Sequence, residues 1–473
     1  MALHINELDR FKRFALDRML AGRNMFISGK AGCGKSALLD VFRRVTTGRT
    51  VYLAPTGIAA RNIDGVTVNS FLGIGADLYL PGVTAPKLDF EKAMAIRATD
   101  TVLVDEIGAL SAAGMTALEN ILRMESEPEY QGLPFGGKQI IVMGDFAQIM
   151  PTVTSTDAYW LRQYYRGVFA FESDAWLAAR FGTVELPASY RHDADPEGER
   201  ILDTFRLGES GGAPMSLQEA VRRCNARMTS RRFYSEDVPI LCTTNDAARS
   251  LNMDLDARLG SEVYVHYASE NGVFGGETYP APPELWLRIG SRVMIVANCY
   301  DDFGNLIYAN GDMGRVLDIS EPVNPGEVML VTVQLDDGRE VTVAPREWHH
   351  SEYVAGSEGA PIGRRITGTF TQLPLMLGYA VTIHKSQGLT LPRAHLELGN
   401  GTFAGGQLYT AASRCERLDD VSVNRLLHPR DVKLNPKVCA FCRDVRIGQS
   451  MADPEYVTLK HQTERDHAAA LGL

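Results

Sequence analysis

Gly29-Lys30-Ala31-Gly32-Cys33-Gly34-Lys35-Ser36 fits the pattern G-x-x-x-x-G-K-[ST] without a gap. The apolar, strand-like run Met25-Phe26-Ile27 leads into it, and Ala37, Leu38, Leu39, Val41 and Phe42 lead out at helical spacing. A strand, a glycine-rich turn and a helix start, in that order, make a phosphate cradle. The glycines let backbone N–H groups turn inward, and the helix aims its positive end at the same point. On this reading Gly29, Ala31, Gly32, Cys33, Gly34, Lys35 and Ser36 surround a triphosphate. Lys35 reaches its β and γ phosphates and Ser36 ligates Mg²⁺.

The strands that follow extend this unit. Val51 to Leu53, Thr101 to Val104 and Gln139 to Met143 are short continuous apolar runs separated by helical patterns, the mark of a buried parallel sheet. In such sheets function collects at the carboxyl ends of the strands. Two of the runs end in acidic residues. Asp105-Glu106 supplies a carboxylate for Mg²⁺ (Asp105) and one to polarise an attacking water (Glu106). Gly144-Asp145-Phe146-Ala147-Gln148 supplies Gln148 as a γ-phosphate sensor and Asp145 as a group that orients a metal-bound water.

A second α/β pattern begins near Val184, with strands expected at Val184 to Leu186, Pro239 to Cys242 and Ala394 to Leu398. Between about 299 and 373 the texture changes to short β-rich runs, such as Met329 to Val333 and Val341 to Val343, between Gly- and Asp-rich turns, which reads as a small all-β insertion. The last twenty residues are polar and read as a loose helix.

The bulk numbers bound the rest. A chain of 473 residues is too long for one core. Its longest apolar stretch, Leu373 to Ile383, is broken by Pro374 and Gly378 and is too short to span a bilayer. The N-terminus lacks the apolar region of a secretory signal, and seven cysteines suit a reducing compartment, so a cytoplasmic protein of bacterial or phage type is expected. Cys439 and Cys442 form a lone C-x-x-C with no second pair to complete a zinc site. A net charge of −10 argues against simple coating of nucleic acid but not against a channel lined by local basic residues.

Phe135-Gly136-Gly137-Lys138-Gln139 followed by Gly144 to Pro151, together with Asp105-Glu106-Ile107, resembles the signature of the Pif (petite integration frequency) family of superfamily 1B DNA helicases. Gly65 to Phe71, Tyr190-Arg191, Ile383 to Thr390 and Tyr409 to Arg414 are similar to further motifs of that family. With the phosphate loop they run in family order from about residue 25 to 415.

The resemblance implies two RecA-like parallel-sheet lobes of an α/β fold. Lobe 1A would hold 1–65 and 100–180, with an inserted subdomain 1B at 66–99 whose turn near Tyr79 to Gly82 is the wedge candidate. Lobe 2A would hold 181–298 and 374–473, with a β-rich, SH3-like subdomain 2B at 299–373. It further implies ATP and Mg²⁺ in the cleft between the lobes, with Lys35, Asp105, Glu106 and Gln148 from one lobe, Arg191 and Arg414 as arginine fingers, and Gln387 and Gly388 beside the nucleotide. Thr56, Ser70, Phe71, His384 and Lys385 are the candidate DNA contacts, Lys385 by pairing with a phosphate and Phe71 by stacking on a base, with a core position the equal alternative for Phe71. The activity implied is ATP-driven 5′-to-3′ movement on single-stranded DNA with unwinding of tailed duplexes by a monomer, in repair or recombination. The alternative is a nucleotide-dependent DNA-binding switch or translocase that unwinds poorly.

Two departures matter. The family carries a glutamine that reads adenine upstream of the phosphate loop; that spacing falls near Lys12, and the first glutamine here is Gln131, so weaker discrimination of ATP from GTP is expected. Asn69 stands where the family has histidine. Gly208-Glu209-Ser210-Gly211-Gly212 fits the hydrolase pattern G-x-S-x-G, but the run before it reads as helix rather than the strand that motif requires.

Overall fold

The computed structural model describes residues 5–74, 78–80, 88–151, 155–230, 238–272, 279–303, 306–320, 322, 328–354 and 363–452. Six strands, β1 (Met25–Gly29), β2 (Thr50–Ala54), β3 (Val66–Thr67), β4 (Thr101–Val104), β5 (Gln139–Gly144) and β6 (Gly182–Leu186), form one sheet in the order β3-β2-β4-β5-β1-β6. Every pairing in it is parallel. Both faces are covered, which is why β1, β4 and almost all of β5 are buried along their length and read as unbroken apolar runs. The order sets β4, β5 and β1 side by side, so Asp105, Asp145 and the phosphate loop leave neighbouring carboxyl ends.

A second, five-stranded parallel sheet follows the order Ala380–Thr382, Ile240–Cys242, Ala394–Glu397, Val421–Val423, Thr229–Ser230. Two parallel-sheet lobes are therefore present, but Val184 to Leu186, expected to open the second, lies in the edge strand of the first, paired with β1. Between Cys242 and Ala380 the chain builds antiparallel structure. Five strands (Glu340–Val343, Leu330–Leu335, Met313–Ser320, Arg292–Ile295, Leu375–Leu377) enclose a core of Val293, Val316, Val331, Val333 and Leu375. This sheet takes in Arg292–Ile295, which lies before residue 299 in the chain.

The Pro436–Ala452 helix follows the second sheet in sequence but packs on the first lobe. Phe441 stacks on Phe171, with centroids 4.1 Å apart, and meets Phe146 edge-on at 5.4 Å. Phe26, Trp176 and Phe169 complete the cluster around Phe146. Offset and edge-on aromatic pairs of this kind stabilise beyond the area they bury. Phe146 is thus a pin that holds the loop after β5. Cys439 and Cys442 are buried on the same helix, and no group of three His, Cys, Asp or Glu side chains among the described residues is close enough to hold a metal ion.

Tyr79 is buried in the first lobe, where its hydroxyl accepts from the Asn120 amide at 3.3 Å and its carbonyl accepts from the Tyr165 hydroxyl at 2.8 Å. It faces inward and is no wedge; Pro81 and Gly82, like the last twenty residues, lie outside the described residues. The Gly208–Gly212 segment follows the Pro196–Leu207 helix, so no strand precedes that serine.

Phe146→Ala is expected to lower the stability of the first lobe by about 3–5 kcal/mol, the usual range for deleting a buried phenylalanine ring. Thermal and denaturant unfolding followed by tryptophan emission checks it.

Candidate nucleotide site between the lobes

Helix α1 (Arg10–Leu20) starts at Asp9, whose carboxylate accepts from the N–H groups of Phe11 and Lys12. The helices that begin at Gly57, Phe90, Ala112, Pro196, Leu217 and Asn245 likewise start behind a capping Thr, Asp or Ser side chain. Helix α2 (Lys35–Val45), which follows the phosphate loop, does not. Its first flanking residue is Gly34, at φ +83°, and no side chain caps it. Eleven residues of helix therefore present their positive end with their first N–H groups uncapped by the chain. Gly32 is also left-handed, at φ +74°. A Cβ there would lie 2.5 Å from the Cβ of Arg191, so the loop is closed against that residue.

The Lys35 amine folds back on its own loop, donating to the carbonyls of Gly29 (2.7 Å) and Lys30 (3.3 Å). Burial alone would lower its pKa; the Cys33 sulfur and the carboxylates of Asp145, Glu106 and Asp105 outweigh that and hold it above its ordinary value. Asp105 is held well above the usual carboxylate range, by burial first and by Glu106 second. Its Oδ1 accepts from the Glu106 N–H at 2.9 Å. Glu106 itself sits at φ +50°, a conformation rare for a side chain of this kind and one that concentrates at functional sites. Its Oε2 accepts from the Gln387 amide at 3.1 Å, which brings the 384–388 loop of the second lobe onto the end of β4.

Arg191 lies across the cleft. Its backbone neighbour Tyr190 donates its N–H to the Gly32 carbonyl at 3.0 Å. The guanidinium donates to the Thr390 hydroxyl (3.1 Å) and the Ser413 carbonyl (3.0 Å), and burial lowers its pKa. Arg414 corrects the symmetrical picture of two fingers. At 1% exposure it is turned into the second lobe, where it donates to the carbonyls of Thr410, Ser386 and Leu389 and to the Ser413 hydroxyl. Its donors are spent on shaping the 386–389 loop.

Gln148 is buried in the loop pinned by Phe146. Asp145 differs from its expected role. Both its oxygens are taken by the Arg206 guanidinium at 2.9 to 3.1 Å. Ser36 is exposed, and Gly388 stands at φ +85° in the loop that carries Gln387.

Among the DNA candidates, His384 and Lys385 are exposed, and Thr56 is exposed at the start of the Gly57–Asn62 helix that its hydroxyl caps. Ser70 is half-buried. Phe71, at 3% exposure, is packed in the first core with Val68, Leu72 and Ile96 and cannot stack on a base. Sequence reasoning missed Arg206, Lys30 and the Tyr409 hydroxyl. Arg206 sits among apolar residues of an amphipathic helix, where spacing alone does not separate a buried cation from a surface one.

Lys12 occupies the expected adenine-reader position. Its amine pairs with Asp9 at 2.5 Å and sits 4.0 Å from the Tyr190 ring centre, while the Tyr190 hydroxyl donates to the same Asp9 at 2.6 Å.

The fold and cleft define a protein of two RecA-like parallel-sheet lobes with a phosphate loop facing the cleft. The family model of PIF1-like helicases matches residues 15–200. "ATP-dependent DNA helicase PIF6" of Trypanosoma brucei brucei is 30% identical over 482 residues, covering 95% of this chain and 57% of that protein. The crystal structure of Bacteroides sp Pif1 in complex with ADP-AlF4 superimposes with a TM-score of 0.79 at 26% identity, covering 93% of this chain and 97% of the other. The same Bacteroides protein bound to single-stranded DNA gives a TM-score of 0.65 at 26% identity, covering 92% and 96%. Over residues 15–200 the chain is similar to the PIF1-like helicases, and it spans 57% of the length of its trypanosomal relative.

Proposed function

We propose that this chain is an ATP-driven DNA helicase that moves 5′ to 3′ along single-stranded DNA and separates tailed duplexes. The observation that carries the reading is the contact across the cleft: Arg191 packs on Gly32 of the phosphate loop, and Gln387 reaches Glu106. Each lobe brings groups that the other lacks to one point. The relatives' names and the nucleotide- and DNA-bound Bacteroides structures agree with this.

The residues fit a nucleoside triphosphate. The uncapped start of α2 and the left-handed glycines suit its phosphates, and Lys35 has two loop carbonyls and the Cys33 sulfur to give up for them. They fit Mg²⁺ as well, through the Ser36 hydroxyl and the Asp105 carboxylate. Two protein oxygens suffice for an ion that takes its other ligands from phosphates and water. Bound there, Mg²⁺ would neutralise charge on the phosphates and hold Asp105 ionised.

Glu106 acts as the base that orients and deprotonates the attacking water, its carboxylate aimed by the strained backbone and by Gln387. Arg191 stabilises charge as the terminal phosphoryl group transfers. Gln148 reports the presence of that group to the second lobe. Arg414 shapes the loop that carries Gln387 and stays inside its lobe. Lys385, with Thr56, Ser70 and His384, contacts the DNA backbone. Lys12 is tied to Asp9 and Tyr190 and reads no base edge, so GTP is used alongside ATP.

Strand separation on duplexes with a 5′ or a 3′ tail tests the whole reading: unwinding of the 5′-tailed substrate alone is expected. Intact duplex despite DNA-stimulated hydrolysis would make the protein a translocase or switch. Glu106→Gln should retain nucleotide binding and lose about 10²–10⁴ in turnover, the range typical of general-base removal; a normal rate would assign the base elsewhere. For Arg191→Ala, kcat should fall by about 10³ or more while the nucleotide Kd changes little, since the contact belongs to the transition state. Equal losses in both quantities would remove the finger role.

A further inference from the structure

The Pro196–Leu207 helix belongs to the second lobe by its core residues: Ile201, Leu202 and Phe205 pack with Leu241, Val381 and Leu396. Its polar stripe is only partly exposed to solvent. Glu199, Asp203 and Arg206 follow one another at i, i+4 and i+7, so they line one face, and that face meets the two loops of the first lobe that frame the phosphate site. Glu199 Oε1 and Asp203 Oδ2 hold the Lys30 amine at 2.7 and 3.1 Å, and Lys30 lies inside the phosphate loop. Arg206 grips Asp145 with Nε (2.9 Å to Oδ2) and Nη2 (3.0 Å to Oδ1), both side chains at 1% exposure or less. Asp145 Oδ1 also accepts from the Ala147 N–H at 3.1 Å, which fixes the backbone that leads to Gln148. Tyr409 of the second lobe closes the circuit. Its hydroxyl accepts from the Ala31 N–H (3.0 Å) and donates to Asp145 Oδ2 (3.4 Å).

A buried ion pair adds little net stability over a well-packed apolar pair. What a two-pronged guanidinium–carboxylate bond does supply is geometry, a fixed distance and a fixed plane. Here three polar groups of one helix determine where the phosphate loop and the Gln148 loop stand relative to the second lobe. Yet none of Glu199, Asp203 and Arg206 belongs to the phosphate-binding or water-activating set.

We propose that this stripe is a coupling strut. Glu199, Asp203 and Arg206 are positioning residues that carry movement of the second lobe on single-stranded DNA to the phosphate loop and to Gln148, so that DNA sets the rate of hydrolysis. The proposal rests on the helicase reading above.

The test uses the full chain and compares hydrolysis with and without poly(dT), together with direct binding of a fluorescent ATP analogue. Glu199→Gln combined with Asp203→Asn should leave the DNA-independent rate and the analogue's Kd unchanged and cut the stimulation by poly(dT) about tenfold, within the range usual for coupling between two sites. Arg206→Lys keeps the charge and loses the fork; it should lower the DNA-stimulated kcat without weakening the analogue. If Arg206→Lys does not fold, the partly exposed acidic pair still decides. Wild-type stimulation in the double variant would overturn the strut, as would a Kd that weakens in step with the rate. A wild-type protein with no hydrolysis would instead sink the helicase reading, and the strut with it.

Discussion

The left-handed backbone at Gly32 and Gly34 is the constraint on which the rest depends. It bends the chain between β1 and α2 so tightly that the helix begins with no capping side chain, and it brings Gly32 against Arg191. A side chain at either glycine would adopt a disfavoured conformation and meet a neighbour. The loop can therefore be close to the second lobe and open to an anion at once. Almost everything else in the cleft adjusts to that turn: Lys35 folds over it, Tyr190 and Tyr409 bond to its backbone, and the Pro196–Leu207 helix braces Lys30.

Local pairing explains how so many cations share the cleft. Lys30, Lys35, Arg191, Arg206 and Arg414 gather in a molecule of net charge −10, and each is answered by nearby partners. Lys30 and Arg206 have carboxylate partners, Lys35 has loop carbonyls, and Arg414 has the carbonyls of its own lobe. Arg414 and Arg191 both have lowered pKa values, Arg414 down to about 10, from burial and from each other's field in the case of Arg414.

The phosphate loop, the acidic strand ends and the alternation of buried strands with helices were legible in the sequence because each depends on a few adjacent residues. The second lobe was legible largely through resemblance; its strands are only three or four residues long, or two at Thr229–Ser230, and alone would not compel a sheet. Side-chain direction was the weak point. Phe71 sits beside Ser70 in a short helix, and nothing local says which of the two turns toward the core. Arg414 and Asp145 stand in motifs that suggest an open site, yet both are consumed by partners tens or hundreds of residues away, Ser386 and Arg206 among them. Such pairings are fixed by tertiary packing, inside the second lobe for Arg414 and between the lobes for Asp145, which no local pattern records.

The Pro436–Ala452 helix has a consequence for how the molecule is made. It supplies Phe441 to the aromatic cluster of Phe26, Phe146, Phe171 and Trp176, whose other members lie more than 250 residues upstream. During synthesis the first lobe must wait, one apolar flank uncovered, until the whole of the second has emerged from the ribosome. Nascent chains stalled before this segment should be the forms that chaperones hold and that aggregate.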